Sequence, residues 1–246
     1  MKKTILSVWG LVARGMLPMT LLTCLVMTSA EAILFPLQCL SAQRLDEAFS
    51  NTWLTAVFVI ALAALHAFFC LRGTLGARTA LPYARLGISE RGLFLLRAGQ
   101  AALCLGILLA WQLGLALALA MWWSHAHPGA IGPQTLYVAV YRDSLLHALL
   151  PLGDRLLWVR NFVLCAALGF CAAKAEATRR ITGPIIVGTL AAVTFPTGMN
   201  YGIVVPIQIA LLLAAAWMAW MMRTDTTEPA GTEGFTNGKE PKTAGD

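Results

Sequence analysis

Charge is what this chain of 246 residues has least of. Asp, Glu, Lys and Arg together make up 12% of it, against roughly 25% in an ordinary soluble domain. So little charge cannot cover a water-facing surface, and with 58% hydrophobic residues the chain reads as an integral membrane protein. No CxxC pair occurs among Cys24, Cys39, Cys70, Cys104, Cys165 and Cys171, and most of these lie inside apolar runs. That argues against a disulfide framework, leaving small buried hydrophobes. No G-x-x-x-x-G-K-[ST] stretch occurs either, so no phosphate cradle is predicted. The chain is read as no enzyme, with no cofactor and no metal; ATP hydrolysis, if it drives this protein, belongs to a partner subunit. The net charge of +6 does not imply nucleic acid, because the basic residues fall at the ends of apolar runs rather than on one polar face.

What the sequence does contain is apolar runs of bilayer length. About 20 apolar residues in a helix cross the hydrocarbon core. Such runs occupy about 16–37, 52–71, 98–123, 156–173 and 201–222, with a shorter one at 181–195. The expected fold is therefore all-α and polytopic, a single helical domain over 1–223 with about six transmembrane helices. Six crossings put both termini on one side. Lys2, Lys3, Arg14, Arg72, Arg78, Arg85, Arg91, Arg97, Lys174, Arg179, Arg180 and Arg223 then share that side, against Arg44, Arg142, Arg155 and Arg160 on the other. This excess predicts cytoplasmic termini in a multi-pass protein of the cell membrane. The polar, Gly- and Thr-rich stretch 224–246 reads as a disordered cytoplasmic tail.

Two segments fit less simply. The N-terminus has a basic start, an apolar run and small residues at Ala30 and Ala32, as a secretory signal does. Arg14 within the run and the apolar Ile33, Leu34 and Phe35 after it favour an uncleaved first span, preceded by an interfacial helix over 1–15. Residues 125–153 are too polar for a span and too apolar for an ordinary loop. One or two helices on, or dipping into, the outer face are expected there, or a segment packed over the bundle.

Between the second and third runs lies RGTLGARTALPYARLGISERGLFLLR, five arginines with one acid, Glu90. Pro82 suits the first turn of a helix and Gly87 the left-handed position that ends one. Ser89 then reads as an N-cap, with Glu90 in the first turn of the next helix. A short stiff element across the cytoplasmic end of a hairpin is one reading; a positive-inside loop with a tidy turn is the other. The arginines can also grip anionic membrane lipid.

The stretch LPYARLGISERGLF, set between the second and third of six spans, resembles the coupling region of permease subunits of type-2 ABC exporters. The resemblance implies that Leu81, Pro82, Arg85, Gly87, Ser89, Glu90 and Arg91 face an ABC-type ATPase subunit. It further implies a second permease chain, identical or not, and a lipid-like, peptide or drug-like cargo. A membrane scaffold that binds a cytoplasmic partner without transport is the alternative.

Among other polar residues, Glu31 falls at or near membrane depth, where an ionisable group is a functional candidate, here for a substrate path. His66 reads as a core histidine bonded to a neighbouring helix or as a proton relay. His125, His127 and His147 suggest a metal set only weakly, without Cys or acids to join them. Asp143 and His147 share a helical face and read as part of a surface ion pair rather than a hydrolase site. Lys174 and Glu176 read as interfacial charges. FPTGMN, after the short run, reads equally as a gate or a tight hairpin.

Overall fold

The computed structural model describes residues 2–39, 45–49, 52–75, 89–127, 135–196 and 203–221. Among these there are nine helices and no strand: α1 Lys2–Cys39, α2 Leu45–Phe49, α3 Thr52–Leu75, α4 Glu90–Ala126, α5 Thr135–Arg142, α6 Ser144–Leu149, α7 Arg155–Thr178, α8 Thr182–Thr194 and α9 Val204–Met221. The expected coupling positions Leu81, Pro82, Arg85 and Gly87, most of FPTGMN and the polar tail lie outside the described residues.

Five helices, α1, α3, α4, α7 and α9, are long and apolar enough to cross a membrane. The chain is an all-α polytopic membrane protein. The run expected as a short fifth span is the 13-residue α8, about 20 Å long at 1.5 Å per residue against a hydrocarbon core of about 30 Å. Residues 2–15 form no separate interfacial helix, because α1 continues unbroken from Lys2 through Pro18 and Pro36 to Cys39. Val12, Met16, Met27 and Phe35 on it are buried, so its inward face packs over most of its length.

Side-chain pairs fix the helix directions. Thr28 and Glu31 of α1 meet Trp111 and Gln112 of α4, and Phe35 meets Trp122, so these two helices run parallel. His66 and Phe58 of α3 meet Pro184 and Phe195 of α8, which makes that pair antiparallel. Arg97 near the start of α4 pairs with Glu176 near the end of α7. Phe94 and Phe170 bring the end of α9 to the same pole through Trp220. Thus α1, α4 and α8 leave a basic pole that α3, α7 and α9 approach. The alternation holds although α8 is short.

The packing departs from that of a soluble protein at its surface, not in its core. The bundle core is built from Phe58, Leu62, Leu65, Phe69, Leu105, Leu108 and Leu168, while Leu25, Ile33, Ile60, Phe162, Ile203 and Trp217 are exposed. Apolar surface of that extent is stable only against lipid tails, where burying Leu gains little and close backbone packing matters more. The α4–α7 crossing shows it: a Cβ on Gly169 would run into the Ala98 carbonyl. The segment expected on the outer face forms the short helices α5 and α6, packed with α2 over the far pole around Trp123, Val140 and Leu146.

Candidate functional site

At the basic pole, Ser89 caps α4 as its sequence suggests. Its backbone is extended and its Oγ accepts the Gly92 N–H at 3.2 Å, with Glu90 in the first turn. Glu90 and Arg91 are exposed beside it. From this cap α4 runs 37 residues to Ala126 without a break. It has no proline and is tied to α7 by the tight Gly169 crossing and by Arg97 Nε, 3.5 Å from Glu176 Oε1. Glu176 is therefore an ion-pair partner, not a free interfacial charge. On the neighbouring hairpin the Arg72 guanidinium lies where any Cβ on Gly15 would be.

Deeper in the bundle, Gln112 Nε2 donates to Glu31 Oε1 at 2.8 Å, with Glu31 only 1% exposed and Gln112 2%. Glu31 lies 17 residues beyond Arg14 on the same unbroken helix, about 25 Å further from the basic pole. One turn earlier Trp111 donates to Thr28 Oγ1, whose own hydroxyl returns to the Cys24 carbonyl. These bonds form a polar seam between two parallel helices. Sequence reasoning found Glu31 but not Gln112. A lone glutamine in an apolar run carries no signal until its partner helix is known.

His66 is a helix-bridging core residue. Its Nε2 lies 3.0 Å from the Pro184 carbonyl of α8 and 3.4 Å from Cys70 Sγ. The tautomer protonated at Nε2 serves that carbonyl. The ring occupies the space a Cβ on Gly188 would need, so α8 can sit this close only with glycine there.

The far pole holds a cation that the sequence suggests only as an outer charge. Arg160 is 1% exposed. Its Nη1 donates to the Phe195 carbonyl at 3.1 Å and its Nη2 to the Ala148 carbonyl at 3.3 Å. Both carbonyls belong to helix C-termini, those of α8 and α6, which leave carbonyls without intrahelical partners and carry partial negative charge. Asn161 Oδ1 accepts from the same guanidinium and its Nδ2 donates to Ala148, while the Phe195 ring lies under the cation at 4.6 Å. A buried charge thus binds two helix ends in place of a carboxylate. This arrangement explains how α8 can stop short: Arg160 of α7 donates to its Phe195 carbonyl, and Gln208 Nε2 of α9 donates to its Thr194 carbonyl at 2.9 Å.

Asp143 and His147 are not a surface ion pair. Asp143 is the N-cap of α6, 5% exposed, and accepts from Leu146 N–H at 2.7 Å. Burial pushes its carboxyl up to about 6, partly opposed by that bond and one from Leu145. His147 meets the Tyr141 ring edge-on. Burial lowers its pKa, Asp154 raises it and Arg160 lowers it further. His127 instead stacks on Trp123, with ring centroids 4.7 Å apart. Among the described residues no three His, Cys, Asp or Glu side chains are grouped to hold a metal.

No family model, curated protein or solved structure matches this chain. Its architecture defines a class, the all-helical multi-pass membrane proteins; its activity has to be argued from its own residues.

Proposed function

We propose that the chain is the permease subunit of an ATP-driven ABC-type exporter in the cell membrane, working with a separate ATPase and a second permease chain. The observation that carries this reading is α4, one unbroken helix from its Ser89 cap at the basic pole to Ala126 at the far pole. A push on residues 81–91 by an ATPase that closes on ATP would move the whole rod. The Arg97–Glu176 pair and the Gly169 crossing would carry α7 with it. A second chain is supported by the lipid-facing side of α4, where Ala110, Gly114 and Ala118 recur every fourth residue beside a groove of about 520 Å³. Such small-residue ridges let helices approach closely in a bilayer. The cargo would be lipid-like, a peptide or drug-like, and Glu31 would line its path once α1 and α4 part.

A scaffold without transport is the second reading. It is favoured by the sealing of the polar groups inside the bundle: Glu31, His66, Gln100 and Gln112 are all 2% exposed or less. Affinity purification from the native membrane separates the two. An exporter subunit brings down an ATPase with a phosphate cradle, and the association is lost in the R85A/E90A variant. A partner without a nucleotide site, held through the same residues, would establish the scaffold instead.

A further inference from the structure

The side-chain donors of the seam between α1 and α4 are nearly all spent. Trp111 Nε1–H goes to Thr28 Oγ1 at 2.9 Å, and the Thr28 hydroxyl gives its own hydrogen to the Cys24 carbonyl at 2.8 Å. Gln112 Nε2–H goes to Glu31 Oε1. Gln112 Oε1 is buried and accepts from no donor, although buried polar atoms are nearly always served. The group that meets the Gln112 amide is the Glu31 carboxyl, which can donate to it only when protonated. Gln100, 12 residues earlier on α4, follows the same pattern. Its Oε1 also lacks a donor, and its amide meets the Cys104 thiol, a group that carries a hydrogen.

A carboxylate at this place would be a buried charge with one hydrogen bond and no counter-ion. α1 packs against α2, α3 and α4. On α1 itself the nearest cation is Arg14, 17 residues away, and the nearest titratable groups are Cys24 and Cys39. On α4, Cys104 is eight residues before Gln112, Arg97 is 15 before it and paired with Glu176, and His125 is 13 after it. On α3, His66 meets the Pro184 carbonyl and Cys70, while Arg72 lies against Gly15, 16 residues before Glu31. The sequence of α2 holds no cation, only Asp46 and Glu47. Among the described residues, then, Glu31 faces no positive charge. An isolated buried carboxylate is so costly that such a group takes up a proton instead.

We propose that the α1–α4 seam is a proton-binding site, in which Glu31 is held as the neutral carboxylic acid with its O–H given to Gln112 Oε1. An acid and an amide each offer one donor beside one acceptor, so the pair closes a ring of two hydrogen bonds with no charge and no empty acceptor. Parting of α1 from α4 would expose the carboxyl to water, where a glutamate is ionised at pH 7. The O–H bond then breaks and the proton passes to water; closing takes one up again. The site couples separation of the two helices to release of one proton, whether or not the chain transports anything.

Infrared spectroscopy reads that proton directly, through the carbonyl stretch that a carboxylic acid shows and a carboxylate does not. The sample is the intact full-length protein at pH 7 in dodecyl maltoside, a detergent without a carbonyl of its own. Wild type minus E31Q should leave one carboxylic band, that of a single side chain. Asp143, pushed up to about 6 by burial, is present in both proteins and cancels. In Q112L the band should remain and move to higher frequency, because the acid has lost both hydrogen bonds. A wild-type spectrum with no carboxylic band beyond that of E31Q would overturn the proposal. So would an unmoved band in Q112L, which would place the proton away from the amide. E31Q keeps the shape and a hydrogen-bonding end at position 31, so its comparison decides the matter even where Q112L is too unstable to measure.

Discussion

Glu31 and Gln112 are joined by a 2.8 Å hydrogen bond in the interior of a membrane-embedded bundle, on two parallel helices separated by 81 residues of chain. Neither side chain is more than 2% exposed, so each is the other's main means of being buried there. A buried polar group stripped of its partner costs about 1–3 kcal/mol. Gln112→Leu should therefore lower stability by that amount, whereas Glu31→Gln, which keeps an amide–amide bond and removes the ionisable group, should cost less. Thermal unfolding in detergent, followed by circular dichroism, gives the ordering; equal losses for the two variants would contradict the seam.

The His66 ring fills the space beside Gly188, and its Nε2 holds the Pro184 carbonyl. Gly188→Ala should destabilise by about 1–3 kcal/mol through overpacking. His66→Ala removes the obstruction as well as the bond. The double variant should consequently lose less than the sum of the two single ones, and a double-mutant cycle on thermal stability measures that coupling. Strict additivity would mean the two helices do not meet there.

Arg160 ties the ends of α6 and α8 through the Ala148 and Phe195 carbonyls. Arg160→Met leaves the Phe195 carbonyl without that donor, while Asn161 still reaches Ala148. Backbone hydrogen exchange should accelerate at the end of α8 and around α6 and stay unchanged near Ser89 and Arg97. Arg160→Lys should be intermediate, since one ammonium cannot span two helix ends as a guanidinium fork does.

Two groups at the far pole titrate in opposite senses. The Asp143 carboxyl is raised from 3.8 to about 6 by burial. Between those values the folded chain holds a proton the unfolded chain has lost. Its contribution is thus full below about pH 4 and is lost as pH rises through 6. His147 is lowered from 6.5, so its contribution is present above 6.5 and is lost as pH falls through its folded value. Asp143→Asn keeps a capping side chain and should remove the decline between pH 4 and 6; His147→Gln should remove the opposite slope below 6.5. Melting temperatures of the three proteins across pH 4–8 test this.

The helices were legible in the sequence because hydrocarbon demands long unbroken apolar runs, and the runs at 52–71 and 156–173 fall inside α3 and α7. Ser89 was legible too, since a capping serine before an acid is a local signal. The continuity of α1 was not: residues 1–15 read as a separate interfacial helix, yet packing of Val12 and Met16 into the core carries one helix through. Gln112, Arg160 and Gly188 gave no local signal of the partner that each meets. Each matters through a residue at least 12 positions away, and only the assembled bundle brings those partners together.

The side of the membrane occupied by the basic pole is read most directly with a cysteine at Ala84. Five of the six native cysteines are buried and Cys165 is half-buried, so the background is low. A maleimide that cannot cross the bilayer should leave A84C unmodified in intact cells and label it after permeabilisation, while Y137C on the exposed face of α5 is labelled in both. Labelling of A84C in intact cells would put the arginine-rich tip outside and contradict a cytoplasmic coupling surface.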